Sequence, residues 1–275
     1  MNALRRAIPV PLRRSLKQLY LRTLDVTDMP ARRRQMIPPR TLYFVGDGDY
    51  RRVGLEFRGL FTQYGGLKPE DRVLDVGCGI GRMAVPLTDF LSGPGGYEGF
   101  DIVKKAVEWC QRSITPRFPN FHFRHSDVRN RFYNPHGLYE ASAYRFPYED
   151  GSFEFVFLTS VFTHMFPQDL ENYAGEIARV MKPGGRCFVT LFLLNEESKA
   201  LIAGGQSTQN FAFPLEGCVT ADPTNPEGSL AFEESYMREL LAGLRLSVIE
   251  PIHYGSWCGR KDFLSYQDIL VATKG

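Results

Sequence analysis

The sequence lacks both a long hydrophobic run and a pattern of paired cysteines. None of its 275 residues lies in an apolar stretch of the ~18 residues that a membrane span needs. The five cysteines are an odd number, lie far apart and form no C-x-x-C pair, which argues against a disulfide scaffold or a zinc knuckle. With 43% hydrophobic residues the chain can build a sizeable core. We therefore expect a soluble, cytoplasmic protein without a metal site.

Charge is distributed unevenly along the chain. Residues 1–40 contain ten Lys or Arg and two Asp, a net charge of +8. The remaining residues contain 23 basic and 29 acidic side chains, a net charge of −6. A basic arm joined to a mildly acidic body is typical of proteins that contact an anionic surface.

Within this arm, apolar residues repeat at helical spacing while most arginines occupy other faces. The apolar positions are Leu12, Leu16, Leu19, Tyr20 and Leu24. The pattern predicts a basic amphipathic helix. Three interpretations stay open: a helix that packs on the body through its leucine stripe, a helix that lies on a membrane surface, and an organelle transit peptide.

After residue 67, short apolar runs alternate with amphipathic segments. The predicted strands are Arg72–Val76, Tyr97–Asp101, Phe121–His125, Phe153–Leu158 and Arg186–Leu194, and the predicted helices include Gly81–Leu91 and Gln168–Met181. This alternation predicts an α/β fold with right-handed crossovers and a doubly wound parallel sheet. Two final strands, Leu246–Ile252 and Leu264–Thr273, have no helix between them, so the last is expected to run antiparallel to its neighbour.

Two long stretches, at about residues 127–150 and 195–230, interrupt the alternation. Both follow the carboxyl end of a strand, where open α/β sheets bind their ligands, and long loops there are functional covers or disordered. We expect residues 1–60 to form a basic helical arm and lid, and residues 61–275 to form a single domain that contains both insertions.

A glycine-rich turn joins the first strand to the first helix. Gly77, Gly79 and Gly81 allow a ligand to approach the backbone closely, and the helix amino end beyond them favours a carboxylate or phosphate. Asp75 can accept hydrogen bonds from an ammonium, and Asp101, which ends the second strand, can accept them from ribose hydroxyls. An amino acid and a ribose in one cleft indicate S-adenosylmethionine. The competing ligand is a dinucleotide, whose pyrophosphate the Asp75 carboxylate disfavours.

Three segments resemble motifs of class I S-adenosylmethionine-dependent methyltransferases. Val73–Arg82 resembles motif I, Phe146–Val156 resembles the family's approach to strand four, and Met181–Arg186 resembles its step into strand five. The resemblance implies a Rossmann-like seven-stranded sheet of order 3-2-1-4-5-7-6 with the last strand antiparallel. Residues 1–60 and 195–260 fall outside the resemblance, and such enzymes choose their substrates through these regions.

The resemblance also implies a set of residues that bind the cofactor. These are Asp75, Gly77, Gly79 and Gly81 at the methionine end, Asp101 at the ribose, Ile102 at the adenine face, Asp127 and the Val128 backbone at the adenine edge, and Thr159 after strand four. The competing interpretation of Asp127 is a residue that caps a turn.

A hydroxyl acceptor needs a base, and histidine accepts a proton near neutral pH. His164 follows strand four and is the candidate base, with a hydrogen-bonded structural histidine as the alternative. His253 lines the acceptor pocket in one interpretation and packs in an aromatic cluster in the other. The aromatic segment Thr41–Tyr50 is either a lid, with Phe44 or Tyr50 near the sulfonium, or a connecting turn.

The sequence thus predicts an enzyme that transfers a methyl group from S-adenosylmethionine to a small molecule or glycan, most simply to a hydroxyl. One alternative is nucleic-acid methylation, which is weakened because Thr159–Phe162 stands where base-amine methyltransferases carry an Asn/Asp-Pro-Pro-Tyr/Phe motif. A second alternative is a scaffold that binds the cofactor without turnover. Residues 1–40 add a predicted contact with a membrane surface.

Overall fold

The computed structural model describes residues 10–44 and 48–275, which surround a central seven-stranded sheet. The helices are α1 (Val10–Arg34), α2 (Tyr50–Gln63), α3 (Ala84–Leu87), α4 (Lys104–Ser113), α5 (Pro167–Val180), α6 (Glu196–Ala203) and α7 (Glu234–Gly243). The strands are β1 (Arg72–Val76), β2 (Gly96–Asp101), β3 (Phe121–His125), β4 (Phe153–Thr159), β5 (Met181–Leu191), β6 (Leu193–Leu194), β7 (Phe213–Leu215), β8 (Cys218–Thr220), β9 (Leu230–Glu233), β10 (Leu246–His253) and β11 (Asp268–Lys274).

The strand order of the large sheet is β3-β2-β1-β4-β5-β11-β10. Neighbouring strands from β3 to β5 run parallel, whereas β11 runs antiparallel to both β5 and β10. Strands β10 and β11 occupy the places of the predicted sixth and seventh strands. The predicted fold class, strand order and antiparallel last strand are therefore confirmed.

The two layers of the core follow from the alternation of side chains along the central strands. In β4, Phe155 and Phe157 pack in the layer that contains Phe61 of α2. Val156 and Leu158 pack in the opposite layer, which contains the buried face of α5. Because both faces of β4 are covered, its sequence is an almost continuous apolar run, as parallel sheets require.

The first crossover helix is shorter than the predicted Gly81–Leu91. Only Ala84–Leu87 is α-helical, and this difference has two causes. Gly81 has a φ of 72°, which a right-handed helix excludes. Pro86 has no amide to donate to the carbonyl of Arg82, so the helical hydrogen bond at this position is missing.

The second insertion contains secondary structure that the sequence pattern did not reveal. Strands β6 to β9 form a second sheet of order β6-β9-β8-β7, and α6 lies beside it. Three of these strands have two or three residues and β9 has four, so an alternating pattern is too short to detect. The expectation of a loop over residues 195–230 is therefore wrong.

The arm forms the predicted helix, whose carboxyl-terminal half is attached to the following segment. Asp25 is buried and accepts hydrogen bonds from the amides of Arg40 (2.7 Å) and Thr41 (3.2 Å). Farther towards the amino end the apolar side chains are exposed, 48% for Leu16 and 62% for Leu19. Leu16 and Leu19 therefore do not pack on the body, whereas Leu24 of the same stripe is half-buried. Residues 1–9 and 45–47, which include Asp47 of the predicted lid, lie outside the described residues.

No helix in the described part of the chain is both long and apolar enough to cross a membrane.

We predict that Phe61→Ala lowers the free energy of unfolding by about 3–5 kcal/mol, because it removes a buried aromatic ring. The Phe61 ring is inaccessible to solvent, and its centroid lies 4.4 Å from that of Phe157 and 4.9 Å from that of Phe188. Denaturant titration measures the loss. The control is Leu55→Ala on the same helix, where the side chain is 44% exposed. Equal effects of the two substitutions would show that α2 does not contribute to the core.

Candidate functional site

A cavity of about 670 Å³ opens where strands β1, β2, β4 and β5 end. Its lining comes from the glycine-rich turn, from the carboxyl ends of these strands and from both insertions. This is the edge at which open α/β sheets bind ligands, and the volume lies within the usual range for small-molecule sites. The cavity is therefore the candidate site.

Asp75, in β1, is a buried carboxylate in the cavity wall. Its Oδ2 accepts a hydrogen bond from the Tyr97 hydroxyl at 2.5 Å, whereas its Oδ1 is buried without a hydrogen-bond partner among residues 10–44 and 48–275. Burial raises the pKa of Asp75 to about 8, and the Tyr97 hydrogen bond opposes this shift. A buried acceptor without a donor is costly, so this oxygen is suited to a donor group on a ligand.

The three glycines of the turn have different roles. All have positive φ, and Gly77 and Gly79 line the cavity. At Gly77 a Cβ atom would lie 2.5 Å from Cγ2 of Val161. At Gly81 it would lie 2.9 Å from Cδ1 of Ile114, outside the cavity lining. The structure therefore places Gly81 at a packing contact with the helix α4 region, and not beside the predicted methionine end.

Asp101 connects the end of β2 to the glycine-rich turn. Its Oδ2 accepts from the amide of Gly79 and its Oδ1 from the amide of Val103, both at 2.7 Å. Burial raises the pKa of Asp101, and these hydrogen bonds oppose the shift. Each carboxylate oxygen can accept a further hydrogen bond, so a role towards ribose hydroxyls is compatible with this geometry. Ile102 follows in the cavity lining.

The structure brings only part of the predicted adenine site to the cavity. Val128 and Thr159 line it, and Val128 is buried. Asp127 lies outside the lining, because its Oδ1 accepts a hydrogen bond from Asn134 Nδ2 at 3.0 Å. The structure thus places the Asp127 carboxyl against Asn134 of the first insertion and not in the cavity lining, which corrects its predicted place at the adenine edge.

His164 lies in the cavity wall, and one ring nitrogen is occupied by the second insertion. Its Nδ1 lies 2.8 Å from the carbonyl oxygen of Glu227. Since a carbonyl only accepts, Nδ1 carries the proton and donates, which leaves Nε2 as the proton-accepting nitrogen of the neutral ring. Asn130 of the first insertion donates to Oε2 of Glu227 at 3.2 Å, so both insertions meet beside His164.

Three cavity residues that the sequence analysis missed hold the turn after β4. Ser160 has a φ of 61°, which is rare for residues other than glycine. Its amide donates to Oγ1 of Thr190 (2.9 Å), and Nε2 of Gln267 donates to its Oγ (2.8 Å). Thr190 in turn donates to Oε1 of Gln267 at 2.7 Å. No local sequence signal identifies this network, because its members lie up to 107 residues apart.

The other predicted residues are divided between the cavity and the core. Phe44 lines the cavity and lies 5.8 Å from the ring of Tyr133. Tyr50 is buried elsewhere and donates its hydroxyl proton to the carbonyl of Ile80. His253 packs against Tyr64 at 4.5 Å, outside the cavity lining, so its placement in an acceptor pocket is wrong. Within residues 10–44 and 48–275, no group of three or more potential ligands could hold a metal ion.

The central part of the chain matches a known family. The model of a methyltransferase domain family matches residues 74–189, which run from β1 into β5. A solved S-adenosylmethionine-dependent methyltransferase of Methanosarcina mazei superposes with a TM-score of 0.52, covering 77% of this chain and 95% of that one at 23% identity. Residues 74–189 therefore form a methyltransferase domain of the class I S-adenosylmethionine-dependent type. At this identity the structural likeness by itself shows only the fold.

Curated relatives share only the central part of this chain. A sterol 24-C-methyltransferase of Schizosaccharomyces pombe is 32% identical over 120 residues, which are 44% of this chain and 27% of the relative. A 27-O-demethylrifamycin SV methyltransferase of Amycolatopsis mediterranei is 29% identical over 157 residues, 57% of this chain and 51% of the relative. The chain thus spans about a quarter and about half of the lengths of these relatives.

The prediction of S-adenosylmethionine as the cofactor is confirmed by the match to the methyltransferase domain. The cavity fits the cofactor, since Oδ1 of Asp75 has, in the described part of the chain, no donor of the kind that an ammonium would supply. Gly77 and Gly79 leave their backbone open to the cavity, and Asp101 lies at the end of the next strand. The assignment of each residue to a part of the cofactor stays a prediction.

We predict that Asp75→Asn weakens binding of S-adenosylhomocysteine about 10- to 100-fold, the effect of losing one charge-assisted hydrogen bond. Because the pKa of Asp75 is about 8, a proton competes with the ligand ammonium below that pH. Affinity of the unchanged protein should therefore rise from pH 6 to pH 8, and the Asn variant should lose this rise. Calorimetry measures both effects. Asp89→Asn, at an exposed carboxylate, is the control, and a variant that binds normally at every pH would contradict the assignment.

Proposed function

We propose that this protein is an enzyme that transfers a methyl group from S-adenosylmethionine to a hydroxyl group of a small molecule. The observation that carries the proposal is the hydrogen bond from Nδ1 of His164 to Glu227. It fixes the proton on Nδ1 and leaves Nε2 able to accept a proton beside the cofactor cavity. A hydroxyl needs such a base, whereas an acceptor that is already nucleophilic does not.

The cofactor supplies a methyl group on a sulfonium sulfur, which is already activated for displacement. The protein therefore has to align the acceptor, exclude water and remove the acceptor's proton. In our proposal Asp75 and Asp101 bind the cofactor side of the cavity. His164 takes the acceptor proton at Nε2, and Glu227 holds the ring in the orientation that this transfer needs.

The walls of the cavity favour a largely apolar acceptor over a free sugar. Aromatic and aliphatic side chains form much of the lining: Phe57, Phe100, Tyr133, Met165, Phe166 and Tyr173. The curated relatives act, by their names, on a sterol and on 27-O-demethylrifamycin SV. These names agree with a small-molecule acceptor, and they differ in the atom that is methylated. The choice of a hydroxyl therefore rests on His164.

We predict that His164→Ala lowers kcat about 10²- to 10⁴-fold while the affinity for S-adenosylhomocysteine stays unchanged. The acceptor is first identified by transfer of labelled methyl groups to fractionated small-molecule and lipid extracts. His122→Gln, at an exposed histidine outside the cavity lining and outside both insertions, is the control. A variant that retains its kcat but unfolds at lower temperature would assign His164 a structural role. Tight cofactor binding without turnover on any extract would indicate a scaffold.

We also propose that the arm contacts an anionic membrane surface, which would place the enzyme at a membrane. Residues 1–40 carry a net charge of +8, and Leu16, Leu19 and Tyr20 of α1 are exposed on its surface. Basic amphipathic helices bind anionic lipid through this combination.

Deletion of residues 1–24 tests the contact of the arm. The deletion should reduce co-sedimentation with vesicles that contain phosphatidylglycerol, and salt should weaken binding of the full chain. It leaves Asp25 in place, so the attachment of the arm to Arg40 and Thr41 is kept. Vesicle binding that is unchanged by the deletion would exclude the arm as the contact.

A further inference from the structure

The first insertion contains a loop, residues 129–139, that we call the mouth loop. Five of its residues line the cavity: Arg129, Asn130, Arg131, Tyr133 and Pro135. Its other side presents large apolar side chains to solvent, with Phe132 49%, Leu138 79% and Tyr139 55% exposed. One loop thus forms part of the cavity wall and an exposed apolar surface at the same time.

The mouth loop is held in this conformation by its own hydrogen bonds. Oδ1 of Asn130 accepts from the amides of Phe132 (3.0 Å) and Tyr133 (3.1 Å). Nδ2 of Asn134 donates to the carbonyl of Val128 at 3.0 Å, and the amide of Arg129 donates to the carbonyl of residue 139 at 2.7 Å. In this conformation Phe132 and Leu138 are exposed to solvent. Clustered apolar side chains of this kind mark interaction surfaces.

The charge of the mouth loop indicates the chemistry of its partner. Residues 128–139 contain no Asp or Glu, and Arg129, Arg131 and His136 are exposed among the apolar side chains. Arg131 lies over the Phe132 ring at 5.8 Å, so a cation and an apolar ring are presented together. Arg129 forms an ion pair with Glu140, at the edge of the loop. Interleaved arginine and aromatic side chains suit the headgroup region of an anionic lipid surface.

The mouth loop also contacts the segment that directly follows the basic arm. Phe44 contacts Tyr133 of the loop, and Thr41, three residues earlier, is hydrogen-bonded to Asp25 of α1. The basic arm and the mouth loop are therefore joined through residues 41–44, and each presents exposed apolar side chains together with basic residues. A protein partner would have to match both surfaces, whereas a lipid surface accepts both without specific complementarity.

We propose that the mouth loop inserts Phe132 and Leu138 into the interface of an anionic membrane and opens the cavity towards the lipid. The acceptor is then a membrane-resident apolar molecule that bears a hydroxyl. This last step rests on the proposed function, whereas the docking of the loop does not.

A tryptophan placed at the tip of the loop tests the docking in the full chain. The two native tryptophans, Trp109 and Trp257, are buried, so an exposed Phe132→Trp reports on its own surroundings. Its emission should shift to the blue when vesicles of phosphatidylglycerol and phosphatidylcholine are added. Phe263→Trp is the matched control at an aromatic residue of similar exposure, 54%, outside the loop, and its emission should not shift.

Removal of the apolar side chains provides the second test. Phe132→Ser combined with Leu138→Ser should weaken vesicle affinity at least about tenfold, since two large apolar side chains no longer leave water. Phe263→Ser combined with Ile249→Ser removes two exposed apolar side chains elsewhere and should leave the affinity unchanged. All four residues lie outside the cavity lining, so S-adenosylhomocysteine binding should be normal in both variants.

The outcomes separate the docking from the function. An unshifted tryptophan on vesicle-bound protein, or equal effects of the two serine pairs, overturns the docking of the loop. Equal affinity for pure phosphatidylcholine vesicles overturns the choice of an anionic surface. Labelled methyl groups that appear only on water-soluble compounds overturn the membrane-resident acceptor. Absence of any methyl transfer, with the blue shift present, overturns the proposed function and leaves the docking in place.

Discussion

The site depends on one electrostatic constraint, a carboxylate kept out of water at the end of β1. Asp75 is almost fully buried, and one of its oxygens has a hydrogen-bond partner whereas the other has none among the described residues. Burial makes the charged form of this group unfavourable, which is why its pKa rises to about 8. In the proposed site a ligand cation removes this penalty, so part of the binding free energy of the cofactor would come from a cost already present in the fold. Tyr97 limits this cost without removing it.

The order of the strands places the remaining parts of the site around Asp75. Because β2 and β4 are the neighbours of β1, the ends of all three strands meet at one edge of the sheet. Asp101 enters from one side and is fixed by the turn that it supports through Gly79. The residues from Thr159 to His164 enter from the other side. The arrangement of the candidate site residues is thus set by main-chain positions in the sheet, with two carboxylates at adjacent strand ends.

Features that depend on a few neighbouring residues could be predicted from the sequence. Asp75 and Asp101 line the cavity as their patterns predict, and the predicted strands are present, with shifted ends at the fifth and the last strand. Partners that are distant in the sequence could not be predicted. Asp127 has the residue type and position of an adenine contact, but its carboxyl binds Asn134 of an insertion that has no equivalent in the pattern. Very short strands such as β7 and β8 give no detectable periodicity.

The turn after β4 shows how the two sides of the cavity are coupled. The left-handed backbone of Ser160 costs about 1–3 kcal/mol, and the hydrogen bonds with Thr190 and Gln267, each contributing about 0.5–1.5 kcal/mol, are of the size needed to offset it. The next residue, Val161, occupies the space that a side chain at Gly77 would need, and its carbonyl accepts the amide of His164. Val161 therefore fixes the position of the candidate base His164 relative to the glycine-rich turn. Thr190 of β5 and Gln267, which directly precedes β11, hold Ser160 and so maintain this relative position.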